Sequence, residues 1–218
     1  IDELELQGMD VLELYYDKYK EIYGTKFSDV FANSKEYEEK IEFLGELIAI
    51  DSVNGKEKQV AEHIQAFLKS RDIDSEVIDL GDGRADLVAN YGSGKPVIGI
   101  SGHMDVVAAG DPSAWDFDPF KMTEHEGNLY GRGTADMKAG VAAFIFALIE
   151  IKENNLLEKG SIRLMLTAAE ESVQTGSAHF HENKYMDDVD ALIIGEPTGN
   201  VINTANKGSM NFTIHSKG

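Results

Sequence analysis

The sequence has 218 residues, 42% of them apolar and 27% charged, which is the composition of an ordinary globular protein. Its formal net charge of −19 argues against a nucleic-acid or anionic-membrane partner, since either requires a basic face. The absence of cysteine excludes disulfides, zinc–thiolate sites and a thiol nucleophile. The longest apolar run, Ala139–Ile149, is too short to cross a bilayer, and the first residues lack a secretory-signal pattern. We therefore expect a soluble, cytoplasmic protein.

Helical periodicity dominates the beginning of the chain. Apolar residues at helical spacing predict an amphipathic helix over Met9–Tyr23, whose aromatic stripe is expected to pack on the protein itself. A second helix is predicted to begin after Asn33 or Ser34, either of which can cap it, and to carry an apolar face as far as Ile48. A third helix is predicted over Glu57–Ser70.

Beyond the third helix, short strands alternate with helices. Strands are predicted at Glu76–Leu80, Asp86–Tyr91, Val97–Ser101, Ser161–Thr167, Ala191–Ile194, Val201–Thr204 and Gly208–His215, and helices at Lys138–Lys152 and Ser177–Asn183. This alternation is typical of an α/β sheet with helices on both faces. We expect residues 33–207 to form this domain, residues 1–32 to be an amphipathic extension, and residues 208–218 to begin a second domain.

The most informative stretch is Pro96–Val107, PVIGISGHMDVV. Its apolar start predicts a strand buried on both faces, so His103 lies where that strand emerges at the carboxyl end of the sheet, the usual ligand-binding edge. Asp105 lies two residues further and projects to the same side of an extended chain. This spacing suits a carboxylate that accepts one imidazole N–H and leaves the other nitrogen for a metal, although a purely structural His–Asp pair has the same spacing.

Three further segments place acidic residues at a strand end or in a glycine loop. Asp136 lies in GRGTADMKAG just before a helix, where it is either a helix cap or a ligand. Glu170 and Glu171 end a buried strand, and the alternative to metal binding is that both acids are favoured by the positive end of a following helix. Glu196 follows another buried strand, and the alternative for it is an exposed turn residue. Together with His103, these acids supply the nitrogen and oxygen ligands that zinc accepts at roughly 2.0–2.2 Å.

The number of carboxylates suits a centre with two metals. Metals roughly 3.5–4 Å apart can share a bridging carboxylate, and the water between them becomes a hydroxide near neutral pH. Adjacent Glu170 and Glu171 cannot easily point the same way. One of them could therefore bind metal while the other takes a proton from the water.

Four ordered motifs, GHMDVV at 102–107, GRGTADMKAG at 131–140, AEE at 169–171 and GEPT at 195–198, resemble a known family. This is the acetylornithine deacetylase, succinyl-diaminopimelate desuccinylase, aminoacylase and carboxypeptidase family of di-zinc amidohydrolases, which are metallopeptidase-like. The resemblance implies a zinc-exopeptidase-like catalytic domain, a three-layer mixed sheet with helices on both faces. It also implies that only the N-terminal portion is present, truncated at the first strand of a small α+β lid and dimerisation domain.

The resemblance implies four metal ligands: His103 and Glu196 on one metal, Glu171 on the second, and Asp136 bridging the two. Two zinc ions are implied, and cobalt or manganese would also suit these ligands. The last histidine ligand of the second metal would lie in the absent part of the family's domain. A cis peptide bond between Asp136 and Met137 is implied as well.

The resemblance also implies that Glu170 is the general base and that Asp105 orients His103. The implied activity is hydrolysis of the amide bond of an N-acyl amino acid, as in a deacylase or desuccinylase, or of a small peptide. Metal-bound hydroxide would attack the carbonyl, and Glu170 would carry the proton to the leaving amine. The remaining histidines considered are interpreted as surface or strand residues: His179, His181 and His215.

The alternative function is an inactive metal-binding fragment or a non-catalytic relative that binds a partner. An intact Glu170 disfavours the alternative, because a binding protein does not need a free base beside its metals. The expected partners are a small N-acyl amino acid or peptide as substrate and a second copy of the chain, joined through the missing lid. No nucleic-acid or membrane partner is expected.

Overall fold

The computed structural model describes residues 35–199, 201–205 and 214–216. The predicted helix Met9–Tyr23 lies outside the described residues, as does most of the predicted strand Gly208–His215. The prediction of a strand over Val201–Thr204 is wrong, because this stretch is exposed and has no regular secondary structure. It pairs with none of the described strands, so it lacks the ladder of main-chain hydrogen bonds that defines a strand.

The helices and strands of the described residues follow the predicted alternation. The helices are α1 (Lys35–Ala49), α2 (Glu57–Ser70), α3 (Lys138–Glu153) and α4 (Thr175–Glu182), with a short 3-10 helix at Pro112–Ala114. The strands are β1 (Ser75–Gly81), β2 (Arg84–Ser93), β3 (Val97–His103), β4 (Thr123–His125), β5 (Asn128–Tyr130), β6 (Gly160–Thr167) and β7 (Ala191–Ile194). The hairpin of β4 and β5 lies in the long segment for which the sequence predicts a loop.

Five strands form one mixed sheet in the order β1-β2-β6-β3-β7. The β2 strand is antiparallel to both β1 and β6, whereas β3 is parallel to both β6 and β7. Parallel strands end at the same edge of a sheet, so the segments that follow His103, Thr167 and Ile194 leave the sheet side by side. This shared carboxyl edge brings three of the four motifs together.

The two faces of the sheet are covered by different helices, because side chains alternate along each strand. On one face, Leu87 of β2 and Leu164 of β6 belong to the main core together with apolar residues of α1, α2 and α3. On the other face, Val88 and Met165 pack against Phe180 of α4 in a smaller core. Burying one such large side chain stabilises the fold by about 1.5–3 kcal/mol. The expected layered α/β architecture is therefore confirmed.

The last strand of the sheet differs from its prediction in one respect. The apolar composition of Ala191–Ile194 predicts a buried strand, and β7 is present at these residues. All of its residues are exposed, however, with Ile193 at 54% and Ile194 at 56%. Among the described strands β7 pairs only with β3, so it is an edge strand with little packed against it, and the prediction of burial is wrong.

Among the described residues, none of the helices combines the length and apolar character needed to span a bilayer.

Candidate metal centre

His103 is the last residue of β3, and its side chain is only 1% exposed. Its Nδ1 atom lies 2.8 Å from the main-chain oxygen of Asp105, which can only accept a hydrogen bond, so Nδ1 carries the proton. The Asp105 carboxylate is further away, with Oδ1 at 3.6 Å from Nδ1. The ring is therefore oriented chiefly by the main chain of Asp105, and Nε2 faces the acidic residues of the other motifs.

The buried carboxylate of Asp105 has a second set of partners that the sequence did not indicate. Its Oδ1 accepts the main-chain N–H of Glu170 at 3.0 Å, and its Oδ2 accepts that of Glu171, also at 3.0 Å. A carboxylate that is fully buried needs such donors to offset its desolvation. Asp105 thus connects the segment after β3 to the segment that carries the adjacent glutamates.

Asp136 does not cap the helix that follows it. Met137 occupies the N-cap position of α3 and makes no side-chain capping hydrogen bond. The Asp136 side chain instead lies against His103, with Oδ1 at 3.0 Å from Nε2. The peptide bond between Asp136 and Met137 is cis, as the family resemblance implies. The main-chain N–H of His103 also contacts the Met137 sulfur at 3.2 Å, so β3 and the loop before α3 are closely packed.

The three glutamates of the motifs complete the cluster around Nε2 of His103. Glu196 Oε1 lies 3.8 Å from this nitrogen and Glu170 Oε2 lies 3.9 Å from it. Glu171 joins His103 and Asp136 in one group whose possible ligand atoms all lie within 4.8 Å of one another. Glu170 and Glu196 form a second such group with the same histidine. The fold thus brings together every residue that the sequence analysis placed in the metal centre.

The concentration of acids shifts several pKa values. Burial raises the pKa of Glu171, and the neighbouring carboxylates of Asp136 and Glu170 raise it further despite the opposing effect of His103. Burial likewise raises the pKa of Glu196, with Asp136 and Glu170 adding to the effect. Both shifts have the direction expected where negative charges are crowded, and a bound cation would relieve that crowding.

The pKa of His103 is raised for the complementary reason. Burial is the largest influence and favours the neutral ring, but the combined attraction of Asp105, Asp136 and Glu196 outweighs it. A divalent cation could take the place of this proton, since it would occupy the same negative potential. Neutral imidazole is the form that binds metal.

The distances suit a divalent cation. Donor atoms around a tetrahedral zinc with bonds of roughly 2.0–2.2 Å lie about 3.3–3.6 Å apart. The separations of 3.0, 3.8 and 3.9 Å between Nε2 of His103 and the oxygens of Asp136, Glu196 and Glu170 bracket that range. One nitrogen and several carboxylate oxygens form a donor set that zinc, cobalt and manganese all accept. The residues therefore fit the implied metals.

The distances do not separate the implied roles of the individual acids. Glu171, the implied ligand of a second metal, lies within reach of His103, the implied ligand of the first. Glu170, the implied base, lies as near to His103 as Glu196 does. The assignments of ligand, bridge and base accordingly stay predictions.

Lys138 is a buried residue of the third motif that the sequence analysis did not single out. Its side chain is 0% exposed, and Nζ donates to the main-chain oxygens of Leu47 at 2.7 Å and Ile50 at 3.0 Å. Burial lowers its pKa to about 8. These hydrogen bonds join the start of α3 to the end of α1, and a lysine directly after the motif's methionine was the only signal for them in the sequence.

His179 is not the ordinary surface residue that the sequence analysis expected. Its side chain is 23% exposed, and Nδ1 lies 3.2 Å from Oδ2 of Asp86, which is fully buried. The signal was available in the strand, since Asp86 interrupts the otherwise apolar run ADLVA and a buried acid requires a partner. By contrast, His181 and His215 are exposed as expected.

A separate groove of about 810 Å³ lies along the loop after β3 and is lined by residues such as Trp115, Phe117 and Phe120. None of the six candidate site residues lines this groove. The His103 cluster is the stronger candidate site, because convergent ligand atoms and shifted pKa values mark a reactive site better than the size of a groove does.

A buried histidine surrounded by carboxylates, at the carboxyl edge of a mixed sheet, is the arrangement expected of an α/β protein that binds metal ions. The sequence model for the peptidase family M20/M25/M40 matches residues 99–215, more than half of the chain. The chain belongs to this family. The match contains all four motifs and all six candidate site residues.

Similarity to individual proteins agrees with this membership. A protein of Staphylococcus epidermidis named "Probable succinyl-diaminopimelate desuccinylase" is 47% identical over 181 residues, which cover 83% of this chain and 45% of that protein. The chain thus spans about half the length of the curated relatives it matches. A "Succinyl-diaminopimelate desuccinylase" of Wolbachia is 36% identical over 182 residues, covering 80% of this chain and 46% of that protein.

Human carnosine dipeptidase 1 has a similar solved structure, with a TM-score of 0.65 and 25% identity over 72% of this chain and 38% of that one. This similarity supports the mixed α/β fold of the described residues and agrees with their assignment to a catalytic domain of the family.

Proposed function

We propose that this chain forms part of a metal-dependent amidohydrolase that cleaves the acyl group from an N-acyl amino acid, with an N-succinyl amino acid as the favoured substrate. The observation that carries the proposal is the convergence of four acids from three motifs on Nε2 of one buried histidine. The choice of a succinyl group is supported by the name of the relative that is 47% identical, a probable succinyl-diaminopimelate desuccinylase. A small peptide is the other substrate that the family membership supports.

The proposed ligands are His103, Asp136, Glu171 and Glu196, with two zinc ions in the complete centre and cobalt or manganese as substitutes. Such metals would polarise the amide carbonyl and lower the pKa of a bound water. The buried ring of His103 can offer only Nε2, because Nδ1 donates to the main chain of Asp105. The chain therefore fixes the direction from which its one imidazole ligand approaches.

Glu170 is the proposed general base. Its side chain is 41% exposed and lies at the edge of the cluster, so it can reach both water and substrate. Its main-chain N–H is held by the buried carboxylate of Asp105, which limits where the side chain can move. Glu170 would accept a proton from the attacking water and deliver it to the nitrogen of the leaving amine.

The proposal extends to the rest of the protein. Relatives about twice as long as this chain support a further domain after residue 207, with residues 208–218 as its first strand and residues 1–32 as an extension before the catalytic domain. Dimerisation through that further domain is proposed from the family resemblance alone, as is a cytoplasmic location.

Hydrolysis assays test the substrate. The protein that carries this sequence should be loaded with zinc and offered N-succinyl-diaminopimelate, N-acetyl amino acids and dipeptides in parallel. We expect release of succinate to be the fastest reaction, and chelation of the metal to abolish it. Preferred cleavage of dipeptides would replace the desuccinylase by a dipeptidase, and no hydrolysis of any of them would favour the non-catalytic alternative.

A further inference from the structure

The turn that carries Glu170 and Glu171 is held by buried carboxylates that lie outside both groups of possible metal ligands. Each main-chain N–H from Ala168 to Glu171 is accepted by a carboxylate, and these carboxylates come from three separate parts of the chain. Asp105 accepts the last two. We propose that Asp86 and Glu57, which accept the first two, are positioning residues that set where the Glu170 and Glu171 side chains stand relative to His103. This inference rests on the proposed metal centre.

Asp86 accepts the N–H of Ala168 at 2.9 Å through Oδ1, and its other oxygen faces His179. It projects from β2 on the same face as Val88, toward α4. The helix approaches closely here, since a Cβ on Gly176 would lie 2.4 Å from the Asp86 oxygen and 2.6 Å from the Ala168 nitrogen. Asp86 therefore holds the end of β6 and the start of α4 at one fixed distance.

Glu57 reaches the same turn from the other side. It is the first residue of α2, is 0% exposed, and accepts the N–H of Ala169 at 3.3 Å through Oε1. The same oxygen accepts a hydrogen bond from Arg84 at 3.0 Å. Its Oε2 has no hydrogen-bond partner among the described residues. Hydrogen bonds and ion pairs offset the cost of burying a carboxylate, so Glu57 is tied both to Arg84 and to the turn.

The conformation of the turn explains why it needs support. Ala169 has a φ of +62°, in the left-handed region that L residues other than glycine, asparagine and aspartate seldom adopt. The N–H groups on both sides of this residue point at buried acceptors, which offset the cost of that conformation. A turn that relaxed toward ordinary φ values would rotate the next peptide planes. Glu170 and Glu171 would then leave the positions at which they approach His103.

Asp86 and Glu57 belong to neither group of possible metal ligands around His103. Their hydrogen bonds connect them to the cluster through the main chain of Ala168 and Ala169. Residues that orient metal ligands in this indirect way typically change metal affinity by about 10–100-fold when they are removed. The inference thus concerns metal affinity and ligand geometry rather than the chemical step.

The test is a titration of the protein that carries this sequence with Co²⁺, in which the visible absorption spectrum of the bound ion is recorded at each step. Asp86→Ala and Glu57→Ala should bind Co²⁺ at least about tenfold more weakly than the wild type and with an altered spectrum. Asp86→Asn and Glu57→Gln should recover most of the affinity, because an amide oxygen still accepts the main-chain N–H. Rescue by the amide variants separates positioning by a hydrogen bond from a requirement for charge.

Val88→Ala is the matched control. It removes core packing from the same strand and the same face as Asp86, but Val88 makes no hydrogen bond to the turn. Its melting temperature should fall while its Co²⁺ affinity and spectrum stay those of the wild type. If an alanine variant does not fold, Glu57→Asp provides the test. This variant keeps the charge but withdraws the carboxylate oxygen from Ala169. It should bind Co²⁺ at least about tenfold more weakly than the wild type.

Folded alanine variants with wild-type affinity and spectrum would overturn the positioning role and leave the metal centre standing. The same affinity loss in Val88→Ala would also overturn it, because the effect would then follow stability. A wild-type protein that binds no Co²⁺ would overturn the metal centre itself, and this inference with it.

Discussion

Nε2 of His103 lies 3.0 Å from Oδ1 of Asp136, which joins the end of β3 to the loop before α3. The contact links two of the four motifs, since His103 ends a buried strand and Asp136 precedes a helix without capping it. Such a pair can share a proton or a cation. The surrounding glutamates add negative charge that would favour a bound cation.

His103→Ala should lower the metal content of the zinc-loaded protein by at least one ion per chain. The imidazole is the only nitrogen donor in either group of possible ligands among the described residues, and both groups contain it. Elemental analysis after removal of excess zinc measures the loss. His125→Ala is the matched control, because that ring is 54% exposed and belongs to neither group, so its metal content should be unchanged. Unchanged metal in His103→Ala would assign the ring a structural role instead.

Glu170→Ala and Glu171→Ala should separate the roles of the adjacent acids. If Glu170 is the base, its removal should leave the metal content intact and reduce kcat by about 10²–10⁴-fold. Removal of Glu171, the proposed ligand, should lower both metal content and activity. Parallel metal analysis and kinetics on the preferred substrate make the comparison. Full turnover by Glu170→Ala would rule it out as the base.

Gly140→Ala should weaken metal binding without adding or removing a polar group. A Cβ at Gly140, in the first turn of α3, would lie 2.4 Å from the main-chain oxygen of Gly195 and push away the segment that carries Glu196. Overpacking of this kind also destabilises a fold by about 1–3 kcal/mol. Gly45→Ala in α1 is the control, since its Cβ would meet only the flexible end of Met122 at 3.3 Å. Equal zinc affinities in the two variants would contradict the expected displacement.

Loss of the proton from the buried Asp86 carboxyl group should lower the free energy of unfolding as the pH rises. Burial raises its pKa from the usual 3.8 to about 6, although the hydrogen bonds from Ala168 and His179 oppose the shift. The folded state therefore holds a proton between these values that the unfolded state has lost, so this group's contribution to stability is present at low pH and is lost through about pH 6.

Urea unfolding of the wild type and of Asp86→Asn at pH 4.5 and 7 measures this contribution. The difference in unfolding free energy, wild type minus variant, should fall by about 2 kcal/mol between the two pH values. His179 and Glu57 are the titratable groups that face Asp86, and both are present in each protein. A difference that stays constant with pH would mean that Asp86 has an ordinary pKa.

The sequence predicted most of the helices and strands, and it predicted which residues gather around His103, for a common reason. The ends of buried strands and the start of α3 are marked by abrupt changes from apolar to polar residues, so His103 and Asp136 could be found from local patterns. Parallel strands then bring such ends to one edge of the sheet. No contact between the two residues had to be known.

Features that depend on tertiary neighbours could not be found in this way. The burial of Glu57 results from its place between Arg84 and the turn at Ala169, whereas in the sequence it resembles any acid in the first turn of a helix. The pairing of His179 with Asp86 depends on the approach of α4 to the sheet. The exposure of β7 depends on its position at the edge, which the order of strands decides and its apolar composition does not reveal.

The central claim is that the His103 cluster binds metal, and the zinc stoichiometry of the wild-type chain tests it most directly. The chain should be loaded with zinc, freed of excess and examined by elemental analysis. We predict one to two zinc ions per chain, with a value near two meaning that both sites assemble and a value near one that only the first does. A value near zero would contradict the assignment of this cluster as a metal centre.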